Sequence, residues 1–173
     1  MTAHEKARGR FANVVRVDDL EAQVWARETG RFGVEVREVG RALGTRDLGY
    51  SVVSLDPGRV SCPFHFHHAE EEAFHVLSGE AVLRQGDEDG EEEVPLGAGD
   101  FVSFPAGTGV AHQFINRSDA PFVYVAFSTR VRHDVCEYPD SNKVNLRGNG
   151  TVMDRGERRA YFHGELPDDG AAG

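Results

Sequence analysis

Between residues 48 and 131 the chain repeats one pattern, in which short β-rich runs alternate with turn residues. The runs are LGYSVVSL, PFHFH, AFHVLSG, EAVLRQ, EEVPL, DFVSFP, HQFIN and FVYVAFSTRV. DPG, GDEDGE, GAGD, PAGTG and NRSDAP lie between them. Many short strands with regular turn signals predict an all-β, antiparallel sandwich or barrel. RQGDEDGEEEV is the clearest hairpin connection, and its acidic run from Asp87 to Glu93 reads as a solvated turn. No repeat of solenoid period is present.

A chain of 173 residues suits one domain with a real core. The pattern places a barrel core at 48–131, an N-terminal arm at 1–47 and a C-terminal extension at 132–173. The first ten residues are polar and are expected to be a mobile arm. VDDLEAQVWARETG (17–30) fits a short helix or an irregular wrap, with Leu20, Val24 and Trp25 as apolar contacts and Asp18 or Asp19 as cap. RFGVEVREVGRALG (31–44) alternates Phe32, Val34 and Val36 with charged residues, then breaks at Gly40 and Gly44; this predicts one strand and a turn. In the extension, NKVNLR is read as a last strand and ELPDDGAAG as disordered.

The formal net charge of −10 argues against nucleic acid or an anionic membrane as partner. No run reaches the roughly 18 apolar residues that a membrane span needs. MTAHEKARGRFANVV has no apolar segment of the kind a secretory signal carries, so the cytoplasm is the expected location. Cys62 and Cys136 lie far apart and form no ligand-spaced pair, so two reduced thiols are expected.

Residues 65–72 read HFHHAEEE. Side chains at i and i+2 of a strand share a face, about 6–7 Å apart. His65 and His67 can therefore converge on one ion in front of the sheet, while His68 points away. Phe64 and Phe66 share the opposite face and need cover from another element or a second subunit. If Glu72 faces inward, His75 does not. Parity alone leaves open which of Glu70, Glu71 and Glu72 points in. Further on, His112, Phe114 and Asn116 share one face, and a sheet folded on itself could bring His112 over the first pair.

GRVSCPFHFHHAEEEAFHVLSG resembles the first conserved motif of the cupin superfamily: Gly, His-x-His, Glu, then Gly after six intervening residues. It maps to Gly58, His65, His67, Glu72 and Gly79, and its spacing picks Glu72 over Glu71. GDFVSFPAGTGVAHQFIN resembles the second motif, through Gly99, Pro105, Gly107, His112 and Asn116. The spacing departs in two loops: one extra residue precedes His65, and four residues rather than two separate Gly107 from His112. GRALGTRDLG and HDVCEYPDSNKV in the flanks are similar to a group of small single-domain bacterial cupins. The resemblance implies a cupin-type antiparallel β-barrel (a double-stranded β-helix or jelly roll), often a homodimer. It also implies one divalent metal ion held by His65, His67, Glu72 and His112.

Three neutral imidazoles and one carboxylate suit Fe, Mn, Ni, Co or Zn as the divalent ion. Four protein ligands leave room on the ion for water, dioxygen or a small organic substrate. Three functions are then open: a metal-dependent oxygenase, a cupin-type sugar-phosphate isomerase or epimerase, and a small-molecule binding or sensing module without turnover. The isomerase needs cations for a phosphate. Within 51–131 only Arg59, Arg84, Arg117 and Arg130 are basic, against thirteen acids. Asn116 is a candidate to orient a histidine ring, or simply a strand-end residue. Tyr50, Phe104 and Tyr124 are read as core filling.

Overall fold

The computed structural model describes residues 13–26, 30–157 and 159–165. The expected mobile arm and nearly all of the expected disordered tail lie outside these residues.

Among the described residues, thirteen strands form three sheets whose ladders are all antiparallel. In chain order they are β1 (Gln23–Ala26), β2 (Gly33–Arg37), β3 (Leu48–Leu55), β4 (Phe66–His67), β5 (Glu72–Ser78) and β6 (Ala81–Asp87). Then come β7 (Gly90–Leu96), β8 (Phe101–Phe104), β9 (Ala111–Ile115), β10 (Phe122–Thr129), β11 (Val135–Tyr138), β12 (Lys143–Leu146) and β13 (Thr151–Asp154). One-turn helix α1 (Val39–Ala42) follows β2. The largest sheet runs β1-β2-β3-β10-β5-β8, a second runs β13-β12-β11-β4, and a third runs β7-β6-β9. No described helix is long and apolar enough to cross a membrane.

Period-two alternation builds the core. Val53 and Leu55 on β3, Phe74 and Val76 on β5, Leu83 on β6, and Phe122 and Tyr124 on β10 all point into one cluster. Phe74 sits at its centre, edge-on to Phe114 with ring centroids 5.0 Å apart, to Tyr124 at 5.9 Å and to Phe104 at 6.2 Å. Each large apolar side chain buried this way contributes about 1.5–3 kcal/mol. Phe104 and Tyr124 therefore fill the core as expected. Phe64 is buried too, beneath the Arg84 guanidinium at 4.0 Å, so its cover comes from its own chain.

The expectations for the flanks need correction. Of the segment read as a short helix or an irregular wrap, the described residues 17–26 and 30 form no α-helix. A single 3-10 turn, Val17–Asp19, leads into β1, which pairs with β2. The open edge of β2 offers a ladder to extended residues, and Val24 and Trp25 take it. Both stay exposed rather than making core contacts. NKVNLR does form a strand, β12, but β13 follows it. PFHFH is only half a ladder. His65 bridges to His112 of β9, whereas Phe66 and His67 pair with β11. The chain therefore changes sheets between the two histidines.

The turn glycines behave as turn glycines: Gly58, Gly79, Gly99 and Gly107 all have positive φ. Gly79 is the most constrained, since a Cβ there would strike the Pro121 carbonyl oxygen. Gly79→Ala is expected to destabilise the fold by about 2–3 kcal/mol, read from a denaturant midpoint at unchanged m-value.

Candidate metal centre

The four residues singled out by motif come from three elements and the segment leading into them. Glu72 opens β5, His112 lies on β9, His67 ends β4, and His65 bridges to His112 just before β4. Glu72 Oε2 lies 3.1 Å from Nε2 of His112, 3.5 Å from Nε2 of His67 and 3.8 Å from Nε2 of His65. Three rings thus aim the same nitrogen at one carboxylate oxygen. Glu71 points to solvent instead.

The far side explains this aim for two of the rings, and packing on Phe104 for the third. His65 Nδ1 meets the Pro63 carbonyl at 2.9 Å, with the Cys62 thiol at 3.6 Å. His67 Nδ1 meets Asp134 Oδ2 at 2.6 Å. A carbonyl and a carboxylate can only accept, so each Nδ1 carries the proton and each Nε2 turns a lone pair inward. His112 lies flat on Phe104, centroids 3.9 Å apart, and its buried Nδ1 has no partner.

On His65 and His67, lone pairs on Nε2 therefore face a carboxylate oxygen that is itself buried and makes no hydrogen bond. Acceptors opposed this way repel unless a cation stands between them. Two donors bound to one ion at about 2.1 Å each lie about 3.0–3.4 Å apart. The 3.1 and 3.5 Å separations at His112 and His67 match this, and His65 is slightly outside it. The residue set fits a divalent ion. Burial pushes the Glu72 carboxyl up, but His112, His65 and His67 outweigh it and hold it at about 2. Burial likewise lowers His112, keeping it neutral, which is the form that ligates.

Two overlapping groups are weaker. His65, His67 and Cys136 lie within reach of one ion, but burial pushes the Cys136 thiol up to about 12. His67, Glu70 and Asp134 also cluster, but their oxygens are already engaged. Asp134 accepts from the Ala69 and Glu70 N–H groups at 2.8 and 3.2 Å besides His67. Glu70 accepts from the Val131 N–H at 3.0 Å and from Arg147 at 2.8 Å.

The other histidines face elsewhere. His68 meets Glu137 at 2.9 Å on the surface, and His75 stacks on Phe101 at 4.1 Å on the outer face. Asn116 orients no ring. Its amide donates to the Leu55 and Ala120 carbonyls, both at 2.8 Å, tying the β9–β10 turn to the end of β3. The residue that does orient a ring is Asp134, in the C-terminal extension just before β11. Nothing in RHDVC marks it, because its partner lies 67 positions away.

Two cavities meet in front of Glu72, sharing Glu38, Ser51, Glu72 and Ala126 as walls. One, of about 760 Å³, is mainly apolar, with Trp25, Val34, Phe74 and Tyr124 facing His65 and His112. The other, of about 630 Å³, is polar and takes in Arg46, Arg130, Arg132 and Arg147. Glu38 is half-buried and, outside the histidine cluster, is the carboxylate common to both.

Residues 51–128 match the family described as "Cupin domain". A structure from Acidithiobacillus ferrooxidans, described as a candidate sugar phosphate isomerase, is 29% identical with a TM-score of 0.69, over 92% of this chain and 94% of that one. A cupin-superfamily sugar phosphate isomerase from Silicibacter pomeroyi is 29% identical with a TM-score of 0.70, over 82% of this chain and 92% of that one. A predicted oxalate decarboxylase from Thermotoga maritima shares the fold at 22% identity and a TM-score of 0.57, over 68% of this chain and 99% of that one. No curated protein matches the sequence significantly.

Proposed function

We propose, starting from the match of residues 51–128 to the cupin domain family, that this chain is a metal-dependent enzyme of the sugar-isomerase type. The observation that carries this reading is the buried, unpaired Glu72 oxygen ringed by three Nε2 atoms and opening onto a ligand-sized cavity. The likeness to two proteins described as sugar phosphate isomerases supports it. So does the polar cavity, in which Arg46, Arg132 and Arg147 from outside residues 51–131 join Arg130.

His65, His67, Glu72 and His112 would hold one divalent ion. When bound, that ion would supply Lewis-acid polarisation of the substrate's carbonyl and hydroxyl oxygens. The protein then has to move a proton between neighbouring carbons. Glu38 is suited to this: it faces both cavities, and no ion pair holds it among the described residues. It takes the proton from the carbon beside the carbonyl and returns it to the adjacent carbon, with no net change in the protein. Burial keeps the Tyr124 phenol far above its ordinary range, so it remains a neutral hydrogen-bond donor in the cavity wall. The apolar wall excludes water from the carbanion-like state.

The test is incubation of manganese-, cobalt- or zinc-loaded protein with aldose phosphates in D₂O. Isomer formation with deuterium incorporation at carbon is expected. Dioxygen consumption by iron-loaded protein, with no isomer formed, would replace this reading with the oxygenase one. Glu38→Gln should lower kcat by about 10²–10⁴-fold and leave metal content unchanged. A fully active variant would remove Glu38 from the mechanism.

A further inference from the structure

We infer that Gly49, Ser128 and Arg130, with Arg46 beside them, form a phosphate subsite that binds the anionic end of the substrate. The identity of the rest of that substrate rests on the isomerase reading above; the anion site does not. The polar cavity has four arginines and four carboxylates on its wall. Two of the carboxylates are spoken for: Glu70 holds Arg147 at 2.8 Å, and Glu72 belongs to the histidine cluster. Arg46, Arg130 and Arg132 make no ion pair with a described residue and face only Glu38 and Asp47. Four arginines balance four carboxylates on this wall, in a protein whose net charge is −10, and three of the guanidinium groups are not held in an ion pair with a described residue. An anion is the ligand that guanidinium groups left without a partner carboxylate favour.

Strand register fixes where that charge lies. Ser128 is paired with Glu72 on β5 and with Gly49 on β3. Directly paired residues have their Cβ atoms about 4.5–5.5 Å apart. Arg130 continues the same face two residues on, about 6–7 Å further along, and its N–H bonds to the Asp47 carbonyl at 2.9 Å, which keeps the ladder going. The subsite therefore begins beside Glu72 and ends a short carbon chain away from it. Gly49 supplies the floor. A Cβ there would stand 2.7 Å from Ser128 Oγ and 3.2 Å from Arg130 Nε, so its absence lets both groups lie close over the backbone. A guanidinium and a hydroxyl over a bare strand make the kind of donor set that a phosphate monoester fills.

The experiment measures equilibrium binding of inorganic phosphate to the metal-loaded wild-type protein, to chelator-treated wild type, and to Arg130→Gln, Gly49→Ala and Arg117→Gln. Arg117 pairs with Glu93 away from this cavity, so its variant controls for net charge. Wild type should bind phosphate with or without the ion. Arg130→Gln should weaken binding about tenfold or more, Gly49→Ala should weaken it too, and Arg117→Gln should not. Binding lost on chelation alone would put the anion on the ion and overturn the subsite. Equal loss in Arg130→Gln and Arg117→Gln, or no loss in Arg130→Gln, would also overturn it. Arg130-dependent phosphate binding without isomerisation would sink the isomerase reading and leave the subsite standing. Turnover of unphosphorylated sugars without phosphate binding would do the reverse.

Discussion

Asp134→Ala is expected to cost about 3–5 kcal/mol of stability and to weaken metal binding 10- to 100-fold. Asp134 is 1% exposed and accepts three hydrogen bonds. Truncation leaves the Ala69 and Glu70 N–H groups buried without partners, at about 1–3 kcal/mol each. It also frees His67 to rotate or to change tautomer, which removes one Nε2 from the cluster. Asp134→Asn separates the two effects. Its amide oxygen can still accept from Ala69 and Glu70, so much of the stability should return. Its NH₂ then faces the His67 N–H, donor against donor, so metal affinity should stay low. Urea denaturation and metal titration of both variants check this. A metal-free Asp134→Ala protein as stable as wild type would show that the carboxylate does not hold this corner together. Acid should act in the same direction. Burial pushes Asp134 up, but His67 and the two N–H groups outweigh it and hold the carboxyl below its ordinary range. Its stabilisation is full above that ordinary range and is lost as pH falls through the lowered value.

His67→Ala and His112→Ala are each expected to strip the protein of a bound ion that wild type retains at close to one per chain, by elemental analysis after purification without chelator. The melting temperature gives the second readout. At a free ion concentration of 100 Kd, binding stabilises the folded state by about 2.7 kcal/mol, and this gain should vanish in both variants. His75→Ala is the control, because that ring stacks on Phe101 outside the barrel. Loss of the ion in His75→Ala, with retention in His67→Ala, would invert the assignment of faces.

Much of this site is legible because it is local. LGYSVVSL reads as one strand and is one, from Leu48 to Leu55. Strand parity separates Glu72 from His75 and His67 from His68, and the motif spacing separates Glu72 from Glu71. What escapes is what comes from afar in sequence. Asp134 reaches His67 only because β11 pairs with β4. Counting cations within 51–131 misses Arg46, Arg132 and Arg147, which line the polar cavity from outside that segment. Glu38 enters the cavity wall from the arm, and no local pattern distinguishes it from a surface glutamate. The strand at Gln23–Ala26, in a segment read as a short helix or an irregular wrap, escaped for a related reason: the free edge of β2, invisible from those residues alone, decides their conformation.

X-ray absorption at the edge of the bound metal tests the central arrangement most directly. A shell of nitrogen and oxygen donors alone, with outer-shell scattering from about three imidazoles, is the predicted result. A sulfur scatterer at about 2.3 Å would move the ion to the His65, His67 and Cys136 group and contradict the assignment of Glu72 and His112.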